Sequence, residues 1–452
     1  MIIDIVDEQI DTVSRTMLGL TVGCARCHDH KFDPVSTRDY YALAGIFYST
    51  QSMADRAFVS NWMERPLPSI DIDMRRRTHQ PLIDQARAEF ERLKAELKDE
   101  NAEPVKKQKE ALEKLEKEMP QFEMVMSVLD AQPKNLPVHI RGNHLAPGPE
   151  PVPRAMPSIL TQVHAAPAIE APHSGRMELA QWLVSPDHPL TTRVLMNRVW
   201  MWHFGKPLMR SPSNFGLQSE PPSHPELLDW LARELMRRNW SLKEMHKVIL
   251  LSDTWQMSSA AVGPDEERDP DNRFLRRQNR RRLEAEPVRD SILFAGGELD
   301  LTAGNIAPNT AAKRRAIYLP IDRSALYEMF STFDYVETAN HIEQRPSTVV
   351  PQQALFIMNS PLVFEQSAAM AASILKEASS ESPEGQRRMI EMAFERLYSR
   401  LPTDAEVARS EQFLSDADQQ LSRIADPAAR KHQVCAGLCR SLMAGNEFLF
   451  VD

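Results

Sequence analysis

Cysteine and long hydrophobic runs are both scarce in this sequence. Its 452 residues include only 4 cysteines, too few for a small scaffold that disulfides hold together. The longest apolar runs, such as Val248–Leu251, fall far short of the roughly 18–20 residues that a membrane-spanning helix needs. We therefore expect no transmembrane segment.

The sequence also lacks an excess of basic residues. Its formal net charge is −9, which gives no long-range attraction for nucleic acid or for an anionic membrane surface. A run of arginines lies at 276–282, but the acidic residues Glu284 and Glu286 follow it at once. Alternating charges are typical of an ion-paired helix face, here one that lines a polar cleft. We expect no nucleic-acid partner.

What the sequence does contain is typical of a globular protein. Hydrophobic residues make up 42% of the chain and charged residues 26%, which excludes a collagen-like, mucin-like or wholly disordered chain. The length predicts two or three domains. Apolar residues recur mostly at helical spacing. This pattern predicts a mainly α, multi-helical fold with an antiparallel helical hairpin insert and a few short β-strands.

Helices are predicted wherever this spacing persists between prolines and glycines. One lies near the N-terminus, and a second begins at Ser36, a typical N-cap residue. Short strands are predicted at 316–320 and 348–351, and a capping box from Ser223 to Glu226. The other predicted helices span residues 176–185, 190–204, 224–238, 241–252, 281–295, 360–376, 386–400, 404–423 and 428–446.

The stretch 81–119 is rich in Glu, Lys, Ala and Leu and contains no glycine. Two apolar stripes, broken at 101–104, predict the antiparallel hairpin. Its interpretations are a solvated spacer and a partner-binding coiled coil. Many prolines follow the hairpin, which indicates an extended connection.

The most chemically specific motif is GCARCHDHKFDP, at 23–34. A Cys-x-x-Cys-His run, here Cys24, Cys27 and His28, is the attachment pattern of c-type haem. Two thiols one helical turn apart can add to the two vinyl groups on one porphyrin edge, and the adjacent imidazole is then the proximal ligand of the iron. The motif predicts haem c as the cofactor and leaves the distal ligand open.

Two other interpretations of the motif stay open. A divalent metal would draw on His28, His30 and Asp33, or on the four Cys and His side chains, which lie too close together in sequence for an easy tetrahedron. Alternatively, Cys24 and Cys27 form a disulfide in a structural turn.

The segment around this motif, residues 7–50, resembles the C-terminal end of the planctomycete cytochrome-C-like domain of unknown function. Residues 188–232 resemble the start of the large planctomycete-specific domain that follows it in the same proteins. Further stretches that resemble this second domain lie at 280–293, 314–320, 347–363 and 438–452. Apart from the hairpin, the resemblance covers nearly the whole chain.

The resemblance implies an exported or periplasmic protein of uncharacterised role, with Cys24, Cys27 and His28 at the CxxCH position of the family. No signal peptide is visible at the N-terminus, and we expect that the chain starts within a longer gene. The expected segments are the end of a cytochrome-c-like domain at 1–65, a helical hairpin insert at 66–122, a proline-rich connection of strands and loops at 123–175, and the large helical domain at 176–452.

Polar and aromatic residues in the large domain are candidates for a ligand cleft. For the group on the predicted helix 190–204, packing and loop contacts are the favoured interpretation, because the sequence places no nucleophile or paired carboxylate nearby. By contrast, Cys435 and Cys439 lie four residues apart on one predicted helix and are expected to be buried. The candidates for the cleft are Asn197, Arg198, Trp200, His203, Asp334, His341, Glu343 and Arg345.

Three functions are compatible with these features. The leading hypothesis is a haem-associated electron-transfer protein whose helical domain docks a redox partner. The second is an exported protein that binds or processes carbohydrate, which rests on the lifestyle that the family implies. The third is a structural or interaction module with a redox-inert CxxC turn. No catalytic residue and no oligomeric state are predicted.

Overall fold

The computed structural model describes residues 2–55, 61–98, 102–260, 267–338, 342–378 and 382–451. The chain divides into two compact units. The N-terminal unit comprises Met1–Thr191 and Gly216–Gln218, and the C-terminal unit comprises Thr192–Phe215 and Ser219–Asp452. Helices dominate both units and the strands are short, which confirms the predicted mainly α fold. No helix in the described ranges is long and apolar enough to cross a bilayer.

The N-terminal unit combines helices with three small antiparallel sheets. Its helices are α1 (Ile2–Val13), α2 (Thr37–Tyr48), α3 (Ile70–Leu97), α4 (Glu103–Glu118), α5 (Ser158–Thr161) and α6 (Arg176–Leu183). Its strands are β1 (Thr50–Gln51), β2 (Glu64–Pro66), β3 (Met124–Met126), β4 (Leu129–Asp130), β5 (Leu136–His139) and β6 (Pro147–Val152). Strand β1 pairs with β4, β2 with β3 and β5 with β6.

The start of α2 follows directly from its sequence. The Ser36 hydroxyl accepts a hydrogen bond from the Asp39 backbone N–H (3.1 Å), and the Asp39 carboxylate accepts one from the Ser36 backbone N–H (2.8 Å). This reciprocal capping box satisfies two backbone donors that the helix itself leaves unpaired. The predicted helix start at Ser36 is confirmed.

A single hydrophobic core joins distant parts of the N-terminal unit. Helices α1 and α2 contribute Ile10 and Leu43, the β5–β6 hairpin contributes Leu136, and α6 contributes Trp182. Trp182 is only 1% exposed. These residues come from three of the predicted segments, 1–65, 123–175 and 176–452, and they share one hydrophobic core.

Helices α3 and α4 form the predicted antiparallel hairpin. Ala86 of α3 packs with Leu112 of α4 in a small core of their own. The His79 imidazole contacts the Leu115 carbonyl near one end, and the Gln108 side chain donates to the Ala86 carbonyl farther along. Earlier residues of α3 therefore lie beside later residues of α4, so the two helices are antiparallel.

Helix α3 begins earlier than the predicted stretch. Its first residue is Ile70, and the Ser69 hydroxyl caps it by accepting a hydrogen bond from the Ile72 backbone N–H. Pro81 lies inside the helix. Proline usually breaks a helix, because it lacks an N–H and crowds the preceding turn. The predicted stretch, which starts at residue 81, therefore misses the first part of α3.

The C-terminal unit is a multi-helical assembly with one short sheet, in which β7 pairs with β8. Its helices are α7 (Thr191–Phe204), whose first residue is grouped with the N-terminal unit, α8 (Pro225–Arg237), α9 (Leu242–Leu250), α10 (Ala285–Ala295), α11 (Glu328–Thr332), α12 (Pro351–Asn359), α13 (Pro361–Glu377), α14 (Pro383–Tyr398), α15 (Asp404–Gln420), α16 (Pro427–Met443) and α17 (Asn446–Leu449). Its strands are β7 (Arg281–Arg282) and β8 (Phe450–Val451).

The predicted helices from residue 176 onward match α6 to α10 and α13 to α16 within a few residues. The two predicted strands are wrong. Ala316–Tyr318 forms a 3₁₀ turn, and Pro351 begins α12. Proline suits the first helical position because its φ is already near the helical value. The extended residue Val350 before it (φ −126°, ψ 150°) is the helix cap and not part of a strand.

The predicted capping box at Ser223 is also wrong. His224 is the N-cap of α8, and Pro225 occupies the first turn. The Ser223 hydroxyl donates instead to the Leu208 carbonyl (3.4 Å). Because proline takes the first helical position, the cap moves to the residue directly before it.

Two hydrophobic cores stabilise the C-terminal unit. The larger one is built from α10 to α17 and includes Phe330 and Ile374. The smaller one is built from α7 to α9 and includes Trp200. Cys435 and Cys439 of α16 lie in the larger core and are 1% and 0% exposed. The prediction that they are buried is confirmed.

His188 ties a loop together in the N-terminal unit. Its Nδ1 accepts hydrogen bonds from the backbone N–H groups of Leu190 (3.3 Å) and Thr191 (3.2 Å). The imidazole is 4% exposed and lies edge-on to the Trp182 ring, with 4.5 Å between the ring centroids. Burial and the nearby His164 lower the pKa of His188 to about 4.

We expect this histidine to make stability depend on pH. The unfolded chain, with a His188 pKa near 6.5, binds more protons between pH 4 and 6.5 than the folded chain. The contribution is therefore complete above pH 6.5 and is lost as the pH falls towards 4. The free energy of unfolding from urea titrations should be about 1–2 kcal/mol lower at pH 5 than at pH 7.5.

His188→Asn is the matched control for this pH dependence, because asparagine can cap the loop but does not titrate. This variant should lose the part of the pH dependence that His188 causes. Identical pH profiles for the variant and the parent would contradict the assignment.

Candidate functional site

The two cysteines of the CxxCH segment, residues 24–28, lie on one side of a short 3₁₀ turn, Val22–Arg26. A 3₁₀ helix has three residues per turn, so residues three apart share a face. Val22 and Ala25 are 0% exposed and anchor one face in the core. Cys24 and Cys27 are exposed free thiols on the other. Both sulfur atoms are therefore accessible from solvent.

Arg26, between the two cysteines, fixes the turn to the rest of the unit. Its guanidinium donates to the Asp7 carboxylate of α1 (2.9 Å), which also accepts a hydrogen bond from the Tyr40 hydroxyl (2.6 Å). The Tyr41 hydroxyl donates to the Arg26 carbonyl (3.2 Å). Burial and the neighbouring Asp7 carboxylate raise the pKa of Tyr40, which keeps its hydroxyl protonated as a donor. The turn is therefore held from both α1 and α2.

His28 is exposed and has one ring nitrogen in a defined hydrogen bond. Its Nδ1 lies 2.7 Å from the Asp29 carbonyl oxygen. A carbonyl only accepts, so Nδ1 carries the proton and Nε2 carries the lone pair. Histidines that ligate metals commonly donate their other ring N–H to a backbone carbonyl in this way. Nε2 of His28 is thus the ligand atom that this turn offers.

His30 and Asp33 hold the loop that follows the motif. Nδ1 of His30 accepts the Asp33 backbone N–H (2.8 Å), so Nε2 carries the proton and donates to the Thr21 hydroxyl (2.9 Å). The Asp33 carboxylate accepts the Leu217 backbone N–H (2.7 Å). A Cβ on Gly216 would lie 2.3 Å from that carboxylate, so only glycine fits there. Both side chains have structural partners.

The predicted metal ligands His28, His30 and Asp33 therefore differ in environment. His28 is exposed, whereas the side chains of His30 and Asp33 are 7% and 5% exposed. Among the residues that the structure describes, no group of three or more His, Cys, Asp or Glu side chains is arranged to hold a metal ion. The divalent-metal interpretation stays a prediction.

A hairpin turn far along the chain packs against the second cysteine. Gly142, between β5 and β6, has φ +73°, and a Cβ there would lie 2.6 Å from the Cys27 sulfur. Ile140 and Leu145 beside it are 57% and 80% exposed. His139, at the end of β5, packs against the Tyr41 ring with 5.0 Å between centroids. Sequence reasoning missed this contact, because only a glycine in a proline-rich stretch marks the turn and nothing in the sequence links it to Cys27.

Asn197 and Arg198 of the predicted cleft make internal contacts. Asn197 is 0% exposed, and its amide donates to the Met209 carbonyl (2.9 Å) and accepts the Met209 backbone N–H (2.8 Å). The Arg198 guanidinium donates to the Ser213 hydroxyl (3.2 Å). Burial lowers the pKa of Arg198. Both side chains hold the segment after α7 against that helix.

Trp200 and His203 belong to an aromatic cluster. The Trp200 and Phe204 rings stack with centroids 4.1 Å apart. Nε2 of His203 lies 2.8 Å from Nδ1 of His246, and its ring meets Trp255 edge-on. Burial, His246 and a nearby arginine lower the pKa of His203. These contacts indicate packing roles for both residues.

Asp334 and Arg345 do line a common cleft of about 840 Å³, together with the exposed Trp202. Asp334 accepts hydrogen bonds from the Arg282 guanidinium and from the Thr348 backbone N–H. The structure thus brings three of the predicted residues, Asp334, Glu343 and Arg345, to one cleft, and Asp334 and Arg345 each form an ion pair. His341 lies outside the described residues, and the carboxylate of Glu343 accepts the Ser213 N–H (2.9 Å).

The arginine run does not form the predicted helix face. Arg281 and Arg282 lie in β7, and α10 begins only at Ala285. Arg281 donates to the Trp202 carbonyl (2.8 Å) at the end of α7. A polar cleft lined by these arginines is nevertheless present.

Comparison with known families identifies two segments of the chain. A family model named PSCyt2, described as a protein of unknown function (DUF1549), matches residues 1–52, which include the CxxCH segment. A second, named PSD1 and described as a protein of unknown function (DUF1553), matches residues 175–414, more than half of the chain. No curated protein and no solved structure matches. The chain belongs to the PSD1 family and carries PSCyt2 sequence at residues 1–52.

Proposed function

We propose that the CxxCH segment is the covalent attachment site of a c-type haem and that the protein takes part in electron transfer outside the cytoplasm. The placement of Cys24 and Cys27 is the observation that carries this proposal. Cys24 lies within a fixed 3₁₀ turn, Cys27 caps the end of that turn, and both are free, exposed thiols. Attachment requires that both sulfurs reach one porphyrin edge at once.

Attachment needs no oxidant. Each thiol adds across one vinyl group, so that its sulfur bonds to one vinyl carbon and its hydrogen goes to the other. The fixed backbone around Arg26 keeps the two sulfurs on one face throughout, because α1 and α2 both hold it. Buried thiols would not reach a vinyl group.

His28 supports the same proposal, since its Nε2 is an exposed lone-pair nitrogen next to Cys27. The hydrogen bond from Nδ1 to the Asp29 carbonyl orients the ring and raises the basicity of Nε2. When bound, the iron would supply reversible one-electron transfer.

The surroundings of the two sulfurs also suit a porphyrin. Phe32, Ile140 and Leu145 are 48%, 57% and 80% exposed, and the hairpin turn that bears the last two contacts Cys27 through Gly142. Exposed apolar side chains of this size gain free energy when a flat apolar group covers them. The hairpin turn would form one wall of the haem site.

Export with a cytochrome c maturation system tests the proposal. The full chain, fused to an export signal, should carry one haem that stains on a denaturing gel and gives a haemochrome spectrum in pyridine. The same chain kept in the cytoplasm is the control and should stay colourless. A colourless exported protein would overturn the proposal. In that case, stoichiometric metal on elemental analysis would favour the divalent-metal site, and absence of free thiols would favour the disulfide.

A further inference from the structure

The C-terminal unit contains a cavity of about 940 Å³ beside α10, which we name the α10 cavity. Glu286, Asp290 and Phe294 line it, and they recur every four residues along the helix. Residues at this spacing lie on one helix face. The turn that contains Ile317 also lines the cavity. One face of α10 therefore presents two carboxyl groups and an aromatic ring to the same space.

The apolar part of this lining is unusually exposed. Phe294 is 66% exposed and Ile317 is 73% exposed, although both belong to a cavity wall. Burying a large apolar side chain against a ligand gains about 1.5–3 kcal/mol. The wall thus offers apolar surface that a flat ring can cover.

The charged groups of the lining are paired. Arg345 pairs with Glu284 and Glu286, Arg315 with Asp290, Arg400 with Glu447, and Arg396 with Glu377. A phosphate or another strong anion would have to compete with carboxylates for these guanidinium groups. A lipid chain would cover the charged groups without pairing them, at a large cost in free energy. The carboxylates of the lining are Glu284, Glu286, Asp290 and Glu447.

Glu286 is held in a fixed orientation. Its two oxygens accept hydrogen bonds from Arg345, at 2.7 Å and 3.0 Å. Such a bidentate pair fixes both the plane and the charge of a carboxylate. The lone pairs of Glu286 that do not bond to Arg345 can still accept hydrogen bonds from the hydroxyl groups of a ligand in the cavity.

Asp290 is held differently. One oxygen accepts the Ala316 backbone N–H (2.8 Å), and the Arg289 and Arg315 guanidinium groups lie 3.7 Å and 3.6 Å away. Burial nevertheless raises the pKa of Asp290, even though both arginines act to lower it. Among the carboxyl groups with a resolved shift in the described ranges, it alone shifts upward.

We propose that the α10 cavity binds a neutral saccharide, with Phe294 against the face of a sugar ring and Glu286 and Asp290 bonded to its hydroxyl groups. A pyranose has an apolar face of C–H groups and a rim of hydroxyls that both donate and accept. This combination matches an aromatic wall that is flanked by two carboxyl groups one helical turn apart. The volume lies within the usual range for ligand sites, about 300–1,000 Å³.

Calorimetric titration of the full chain with β-1,4-linked hexasaccharides tests the proposal. The probes are the hexamers of glucose, mannose and N-acetylglucosamine, with the hexamer of a uronic acid as the anionic comparison. At least one neutral hexamer should bind, and the uronic hexamer should not, because the guanidinium groups of the lining already pair with carboxylates of the chain.

Phe294→Ala should weaken binding of that neutral hexamer about tenfold, from the lost ring burial. Phe274→Ala is the matched control, since Phe274 is also exposed (58%) in the C-terminal unit but is not part of this cavity. Circular dichroism should show that both variants fold.

Three results would overturn the proposal. They are no binding of any neutral hexamer up to about 10 mM, binding of the uronic hexamer alone, and equal affinity of the Phe294→Ala variant and the parent. The proposal is independent of haem attachment, because the two sites lie in different units and have separate readouts.

Discussion

Replacing Cys24 and Cys27 together by serine is expected to abolish covalent haem attachment. Serine keeps the size of each side chain but provides no sulfur to form a thioether. Both side chains are exposed, so the double variant should fold like the parent. The exported variant should show no haem stain on a denaturing gel, whereas the parent stains at one haem per chain.

The chain offers a matched control in its other cysteine pair. Cys435 and Cys439 are also close in sequence, but they are 1% and 0% exposed in the core of the C-terminal unit. Their replacement by alanine should leave the haem stain unchanged. Haem stain that survives loss of Cys24 and Cys27, or that disappears with the buried pair alone, would contradict the assignment.

Replacing Arg289 by methionine is expected to lower the free energy of unfolding of the C-terminal unit by about 3–5 kcal/mol. Arg289 is 2% exposed, and its guanidinium donates to the backbone carbonyls of Arg314 (2.9 Å), Ala312 (2.5 Å) and Thr310 (3.3 Å). Methionine fills similar space but donates nothing. Each carbonyl left without its donor costs about 1–3 kcal/mol.

Guanidinium chloride unfolding measures this effect. Arg388 is the matched control, because its side chain is 51% exposed on α14 and pairs with Glu391 and Glu395 at the surface. Arg388→Met should change the free energy of unfolding by less than about 1 kcal/mol. Equal shifts for the two variants would show that the buried hydrogen bonds of Arg289 contribute little.

Much of the fold can be predicted from the sequence, because its signals are local. Apolar spacing predicts most of the long helices, and Ser36 predicts the start of α2 through a capping box that the structure confirms. Two of the errors arise where proline changes a local rule. Pro225 moves a cap to His224, and Pro351 begins a helix after an extended residue.

The candidate site is only partly predictable. The CxxCH spacing predicts which side chains belong together, and the 3₁₀ turn places Cys24 and Cys27 on one face. Spacing cannot show which ring nitrogen of His28 carries the proton, nor that His30 uses both nitrogens in the loop. The wall around Gly142 depends on a contact more than 100 residues away in sequence.

The predicted cleft shows the same limit. The polar and aromatic residues on α7 share a helix, but Asn197 and Trp200 lie inside the unit, whereas Asp334 and Arg345 line a cleft. Residue type alone does not distinguish a buried amide that ties two segments together from one that binds a ligand. Sequence spacing also could not predict that Phe294 of α10 lines a cavity, because the other lining residues come from distant parts of the chain.

The intact mass of the exported chain, measured under denaturing conditions, tests the central proposal most directly. Co-expression with a cytochrome c maturation system should yield the mass of the chain plus one haem. The variant that lacks both thiols at Cys24 and Cys27 should have the mass of the chain alone. A parent chain of unmodified mass, recovered beside a known c-type cytochrome that acquires its haem in the same cells, would contradict haem attachment at this site.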